Sequence, residues 1–145
     1  MSLEKWIWVP NKSFGIIEFN SSIDLYREKL GVVLDEDDND DITGWLSYKV
    51  SNEEIYLNVE NGLVVSIFTY EKLYYKREKR YKSKNIIGMT KEKLIKLFGR
   101  EPDEIGSSVI YEDGDIQTPL DFDSFSLQVW ISKDIVVSAS CSNYL

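Results

Sequence analysis

The chain has 145 residues, 43% of them apolar, with 17 basic and 25 acidic side chains and a formal net charge of −8. That length makes one ordinary domain or two very small ones, burying roughly 68–70% of the extended surface, and the composition excludes a disordered chain. The acidic balance argues against nucleic acid as a ligand, and the absence of histidine removes imidazole relays, histidine general bases and histidine-ligated zinc.

In chain order, the N-terminal "MSLEKWIWVP" has neither an apolar h-region nor a small-residue cleavage site, so no signal peptide is expected. No apolar run is long enough to span a membrane. A single cysteine, Cys141, excludes an internal disulfide framework and fits a reducing compartment, so the cytoplasm is the expected location. The stretch "SSIDLYREKLG" places Ser22 as an N-cap and Gly31 as a C-terminal glycine around a short helix. The run "DEDDNDD" at 35–41 follows, with six carboxylates in seven residues. It fails as an EF-hand loop, because Asp40 stands where glycine is required and Leu46 where a bidentate glutamate is required. It reads as a solvated loop, or as a contact through Asp37, Asp38, Asp40 and Asp41 for a basic partner. No metal or cofactor is assigned.

Strands are predicted at about 45–50, 54–60 and 63–70, with Asn61–Gly62 as a type I′ hairpin turn. The block "EKLYYKREKRYKSK" at 71–84 holds seven basic and two acidic residues with three tyrosines, which leaves 10 basic and 23 acidic residues elsewhere. The stretch 71–85 is expected as a linker folded back onto the acidic surface. Next, "IIGMTKEKLIKLFGREPDEI" (86–105) reads as one helical unit. Thr90 caps it, Leu94, Ile95, Leu97 and Phe98 form its apolar stripe, Gly99 closes it, and Pro102 bars a restart. Strands at about 107–112, 124–132 and 135–142 complete the chain, with Lys133–Asp134 in the second hairpin turn. Cys141, in "IVVSASCS", reads as a small strand side chain rather than a nucleophile. Asp121 and Asp123, two apart, are a carboxylate pair of the kind that acid–base catalysis uses, in a sequence where acidic residues abound.

The two halves correspond. Ser22 to Gly31 matches Thr90 to Gly99, and "IYLNVENGLVVSIF" (55–68) aligns without a gap on "LQVWISKDIVVSAS" (127–140), sharing the triplet Val-Val-Ser. The expected fold is therefore α+β, one domain of two tandem repeats (about 14–70 and 86–144). Each repeat would pack short helices on an antiparallel sheet of three or four strands. Two-residue turns would pair Leu57 with Ser66 and Ile55 with Phe68, and turn Leu127, Val129, Ile131, Val136 and Ser138 inward. The opposite face would then carry Tyr56, Asn58, Val65, Ile67, Gln128, Trp130, Val137 and Ala139, joined by Trp45 and Lys49. An aromatic and β-branched face of this kind is a candidate partner surface centred on Trp45, Tyr56, Ile67 and Trp130. Cover by the N-terminal segment or by a second chain in a homodimer is the alternative.

The unit "IIGMTKEKLIKLFGREPDEI" followed by strands resembles the repeat of the BamE family of outer-membrane assembly lipoproteins, through Gly88, Met89, Thr90, Leu94, Gly99 and Pro102. Two such units in tandem are similar to the β-lactamase inhibitor protein family. The chain departs from both: it has no lipoprotein cysteine near its start and no cysteine pair. The resemblance implies a fold that grips proteins. Small size, acidity and the lack of a catalytic signature also resemble toxin-immunity proteins. The expected function is a non-enzymatic protein-binding module, an immunity protein or inhibitor that sequesters a basic toxin or enzyme, without contact to nucleic acid or membrane. The alternative is a small-ligand binder or enzyme using carboxylates and tyrosines in the sheet groove.

Overall fold

The computed structural model describes residues 6–34, 45–78 and 81–143. The strands in chain order are β1 (Ile7–Val9), β2 (Ser13–Phe14), β3 (Ile17–Glu18), β4 (Val32–Leu34), β5 (Trp45–Val50), β6 (Ile55–Glu60), β7 (Leu63–Thr69), β8 (Tyr74–Tyr75) and β9 (Lys84–Asn85). The helix α1 (Lys91–Phe98) precedes β10 (Glu104–Ile105), β11 (Val109–Ile110), β12 (Ile116–Phe122), β13 (Leu127–Ser132) and β14 (Ile135–Ser142). They form a nine-stranded sheet in the order β10-β12-β13-β14-β7-β6-β5-β4, with β11 also on β12, and a five-stranded sheet in the order β3-β2-β1-β8-β9.

This corrects the expected α+β arrangement. Strands hold 47% of the described residues and helix 11%, with one α-helix among them, so the molecule is a mostly-β structure of two sheets. It is not a pair of units in which short helices cover small sheets. The segment after Ser22 forms only a 3-10 turn, Ile23–Leu25, in which the Ser22 hydroxyl accepts from Asp24 N. At 90–99 the helix is full. The Thr90 side chain accepts from Lys93 N, and Gly99 takes the left-handed conformation (φ 69°) that ends it. The stretch 71–85, expected as a linker, supplies β8 and β9.

Strand register nonetheless corresponds between the halves. Adding 72 to both numbers of Tyr48↔Leu57 gives Leu120↔Val129, and adding 72 to Leu57↔Ile67 gives Val129↔Ala139. The meanders β5-β6-β7 and β12-β13-β14 join through β7 and β14. Their junction centres on Phe68↔Ser140, two residues that are themselves 72 apart. The lead-ins match too: Asn20 N donates to Val64 O at 2.7 Å, and Gly88 N to Val136 O at 2.8 Å. Both turns have the two positive φ values of a type I′ hairpin, at Asn61 and Gly62 (53° and 80°) and at Lys133 and Asp134 (50° and 69°).

One hydrophobic cluster fills the space between the sheets. Leu57, Ile67, Val129, Ala139 and Cys141 come from the large sheet, Trp8, Phe14 and Ile17 from the small one, and Leu94 from α1. Trp8 meets Phe98 and Phe125 edge-on at 6.1 Å, and Phe98 meets Phe122 at 5.0 Å. These rings tie the N-terminal strands, the helix and the large sheet into one core.

The strand 116–122 lies outside the predicted set, and Pro119 in its middle explains why: proline cannot donate to a ladder. Pro119 O accepts from Gly106 N at 2.9 Å. Because N and O of one strand residue point the same way, the missing N–H faces the gap where the outer partner of β12 changes from β10 to β11. A Cβ on Gly106 would stand 2.7 Å from Pro119 Cγ. Glycine at 106 and proline at 119 fit each other.

Candidate functional site

The side of the large sheet facing away from the core is set by a feature repeated in both hairpins. Register shifts between Asn58 and Val59, and between Trp130 and Ile131. Val59 pairs with Val64 and Asn58 with Ser66, which leaves Val65 as the extra residue; Val137 occupies the same place between Val136 and Ser138. The shared triplet Val-Val-Ser is thus a β-bulge.

A one-residue slip moves every later side chain to the other face. Ile67 and Ala139, expected outward, are 0% exposed and belong to the core. The outward set is instead Tyr56 with Phe68, Asn58 with Ser66, Trp130 with Ser138 and Gln128 with Ser140. Ile67 is therefore withdrawn as a partner-binding residue, and Ser138 as an inward one. Trp130 and Tyr56 keep their outward, half-buried position. Trp45 pairs with Glu60, and its side chain lies outside the described residues, as do Asp37, Asp38, Asp40 and Asp41.

The face has an aromatic centre and a polar floor. Tyr70 stacks edge-on against Phe68 at 4.8 Å and Tyr56 at 6.0 Å. Phe68, Tyr70, Tyr111, Gln117, Trp130 and Ser138 line a cleft of about 340 Å³. Small side chains, Ser47, Ser66, Ser138 and Ser142, lie buried between the larger ones. Asn58 Nδ2 donates to Ser66 Oγ at 2.8 Å, Gln128 Nε2 to Asp121 Oδ1 at 2.9 Å, and the Tyr56 hydroxyl to Glu54 Oε2 at 3.1 Å. Burial, then the neighbouring Tyr111 and Glu54, raise the Tyr70 phenol above its ordinary value, so Tyr70 stays a neutral donor. Asp115 at the cleft's flank accepts from the Ser132 hydroxyl and from Gln117 Nε2 at 3.0 Å, which holds its carboxyl below the usual range.

Sequence reading missed Phe68, Tyr70, Tyr111 and Gln117. The doubled Val-Val-Ser beside each tight turn is the signal that could have located the bulges and so exposed Phe68. The candidate carboxylate pair is split in role. Asp121 is held by Gln128, while the backbone N–H of Asp123 donates to Asp103 Oδ2 at 2.7 Å in a turn. Both border a second cleft of about 480 Å³ with Ser126, Gln128, Ser140 and Ser142. Cys141 is wholly buried, and burial pushes its thiol far up, so it offers no thiolate. Among the described residues no cluster of three or more carboxylate or thiol side chains is placed to hold a metal, and no helix is long and apolar enough to cross a membrane.

No protein-family model, curated protein or solved structure matches the chain.

Proposed function

We propose that this protein is a binding module that docks a basic protein on the outward face of its large sheet, in the manner of a cytoplasmic immunity protein or inhibitor sequestering a toxin or enzyme. The observation that carries this reading is the aromatic cluster of Tyr56, Phe68 and Trp130 on the sheet strands, with Tyr70 and Tyr111 directly after β7 and β11, around a cleft. Aromatic side chains on fixed backbone supply contact area at little entropic cost, and binding energy concentrates in such anchors. Glu54 and Asp115 border the cluster through Tyr56 and Gln117, and the net charge of −8 steers a cationic partner toward it.

The test is capture from the native host with the wild-type chain and the Trp130→Ala variant as parallel baits. A basic protein retained by the first and lost from the second, and inhibited on binding, supports the reading. Equal retention on both baits removes the face from the interaction. The serine-floored cleft beside Asp121 and Asp123 favours a second reading, a small polar ligand. A small-molecule screen by thermal shift, with Asp121→Asn as control, separates the two.

A further inference from the structure

We propose that the cationic groove between α1 and the residues Arg77 and 81–90 is a second docking site, which takes an acidic peptide segment of a protein partner. Arg77, Lys82 and Lys84 stand on one side of it, and Lys93 and Lys96 on the other; among the described residues no carboxylate lines it. The groove has a volume of about 870 Å³. Five cations around one opening, in a chain of net charge −8, mark a local reversal of field that a solvated surface does not need.

The groove's floor decides the class of ligand. Ile87, Met89 and Leu97 line it and are half-buried, so apolar side chains of a ligand have a seat below the cationic rim. Tyr81 is the only aromatic among the described lining residues, too few for the stacked bases that single-strand binders hold. A long polyphosphate would also meet the acidity of the rest of the chain, whereas a short peptide carries little charge beyond the groove. The backbone adds a third element. β9, which contributes Lys84 and Asn85 to the lining, is the last strand of the small sheet and, among the described residues, pairs only with β8. An extended peptide can align on that sheet edge while its acidic side chains meet the lysines and its apolar ones the floor. The site involves none of the outer-face residues, so it stands or falls separately from the reading above.

The test uses a labelled peptide of alternating glutamate and leucine, a glutamate-only peptide and a single-stranded oligothymidylate, titrated into the full chain at low salt. The double variant Lys82→Glu/Lys93→Glu reverses two rim charges. Glutamate at 93 stands three residues after the Thr90 cap, where it completes a capping box and keeps the helix intact. The mixed peptide should bind the wild type and the Trp130→Ala variant alike, and the double variant at least about tenfold more weakly, with the glutamate-only peptide weaker than the mixed one on the wild type. Peptide affinity indifferent to the double variant overturns the proposal. Oligothymidylate bound as tightly as the mixed peptide makes the groove a nucleic-acid site, and self-association of the wild type lost in the double variant makes it a homodimer contact; either result also overturns it.

Discussion

Single side chains on the large sheet divide by face, and the division is measurable. Trp130 stands outward and half-buried, while Ile67, two strands away, is fully enclosed. Trp130→Ala should therefore cost about 2 kcal/mol or more of partner affinity with little change in melting temperature. Ile67→Ala should instead lower stability by about 2–5 kcal/mol, read by denaturant unfolding. The opposite pattern would mean the bulges are misplaced. Asp115 gives a pH signature. Its folded value is depressed by hydrogen bonds from Ser132 and Gln117, so its contribution is present above the unfolded value of about 3.9 and disappears as pH falls through the lower folded one. Asp115→Asn should be less stable than wild type at neutral pH, and the gap should close in acid below about pH 4. A gap that stays constant across pH would show that the carboxylate charge contributes nothing there.

At the scale of elements, β12 depends on a matched glycine and proline. Pro119 is tolerated in a paired strand because its missing N–H faces the break between β10 and β11, and Gly106 leaves room for its ring. Gly106→Ala should destabilise the fold by about 1–3 kcal/mol, the usual range for overpacking. Removing the ring removes the clash, so the same change in a Pro119→Ala background should cost much less, and a double-mutant cycle reads the difference. Additive costs would place the strain elsewhere. α1 is secured differently, by its Thr90 cap and its Gly99 stop at the ends and by Leu94 in the core. The corresponding segment after Ser22 has a cap as well. Yet Tyr26 is the buried residue that follows it, its hydroxyl bonded to Ser21 Oγ at 2.6 Å and to Glu18 N at 3.0 Å. Those bonds of the Tyr26 hydroxyl back to Glu18 and Ser21 hold a turn where the cap signals favoured a helix.

For the whole molecule, charge is segregated: a cationic groove on one element pair and an excess of carboxylates elsewhere. Long-range fields of this kind govern encounter rates more than final affinity. Replacing Asp37, Asp38, Asp40 and Asp41 with Asn should leave the melting temperature within the range of surface substitutions, about 0.5 kcal/mol each. It should slow association with a basic partner and flatten the salt dependence of the on-rate, measured by stopped flow. Unchanged kinetics across salt would return that run to the role of a solvated spacer.

Local chemistry was readable in the residues themselves. The turns at Asn61–Gly62 and Lys133–Asp134, the strands 45–50, 55–60 and 135–142, the α1 cap and stop, and the 72-residue correspondence of the hairpins all follow from dihedral preference and side-chain period. Cys141 was legible as a small strand side chain, but its burial was not, because the expected alternation set it on the same face as Val137 and Ala139. Four features required the tertiary structure. The bulges at Val65 and Val137 depend on how two strands pair, and they move Ile67 and Ala139 inward while bringing Phe68, Ser138 and Ser140 out. The strand through Pro119 exists because a neighbouring strand breaks opposite it. The short strands β1, β2, β3, β8 and β9 form a sheet only because distant segments meet, with β1 parallel to β8. The two meanders fuse into one sheet through Phe68↔Ser140. Local preferences act over a few residues, whereas register, edge contacts and the choice of buried face are settled by pairings between segments far apart in the chain.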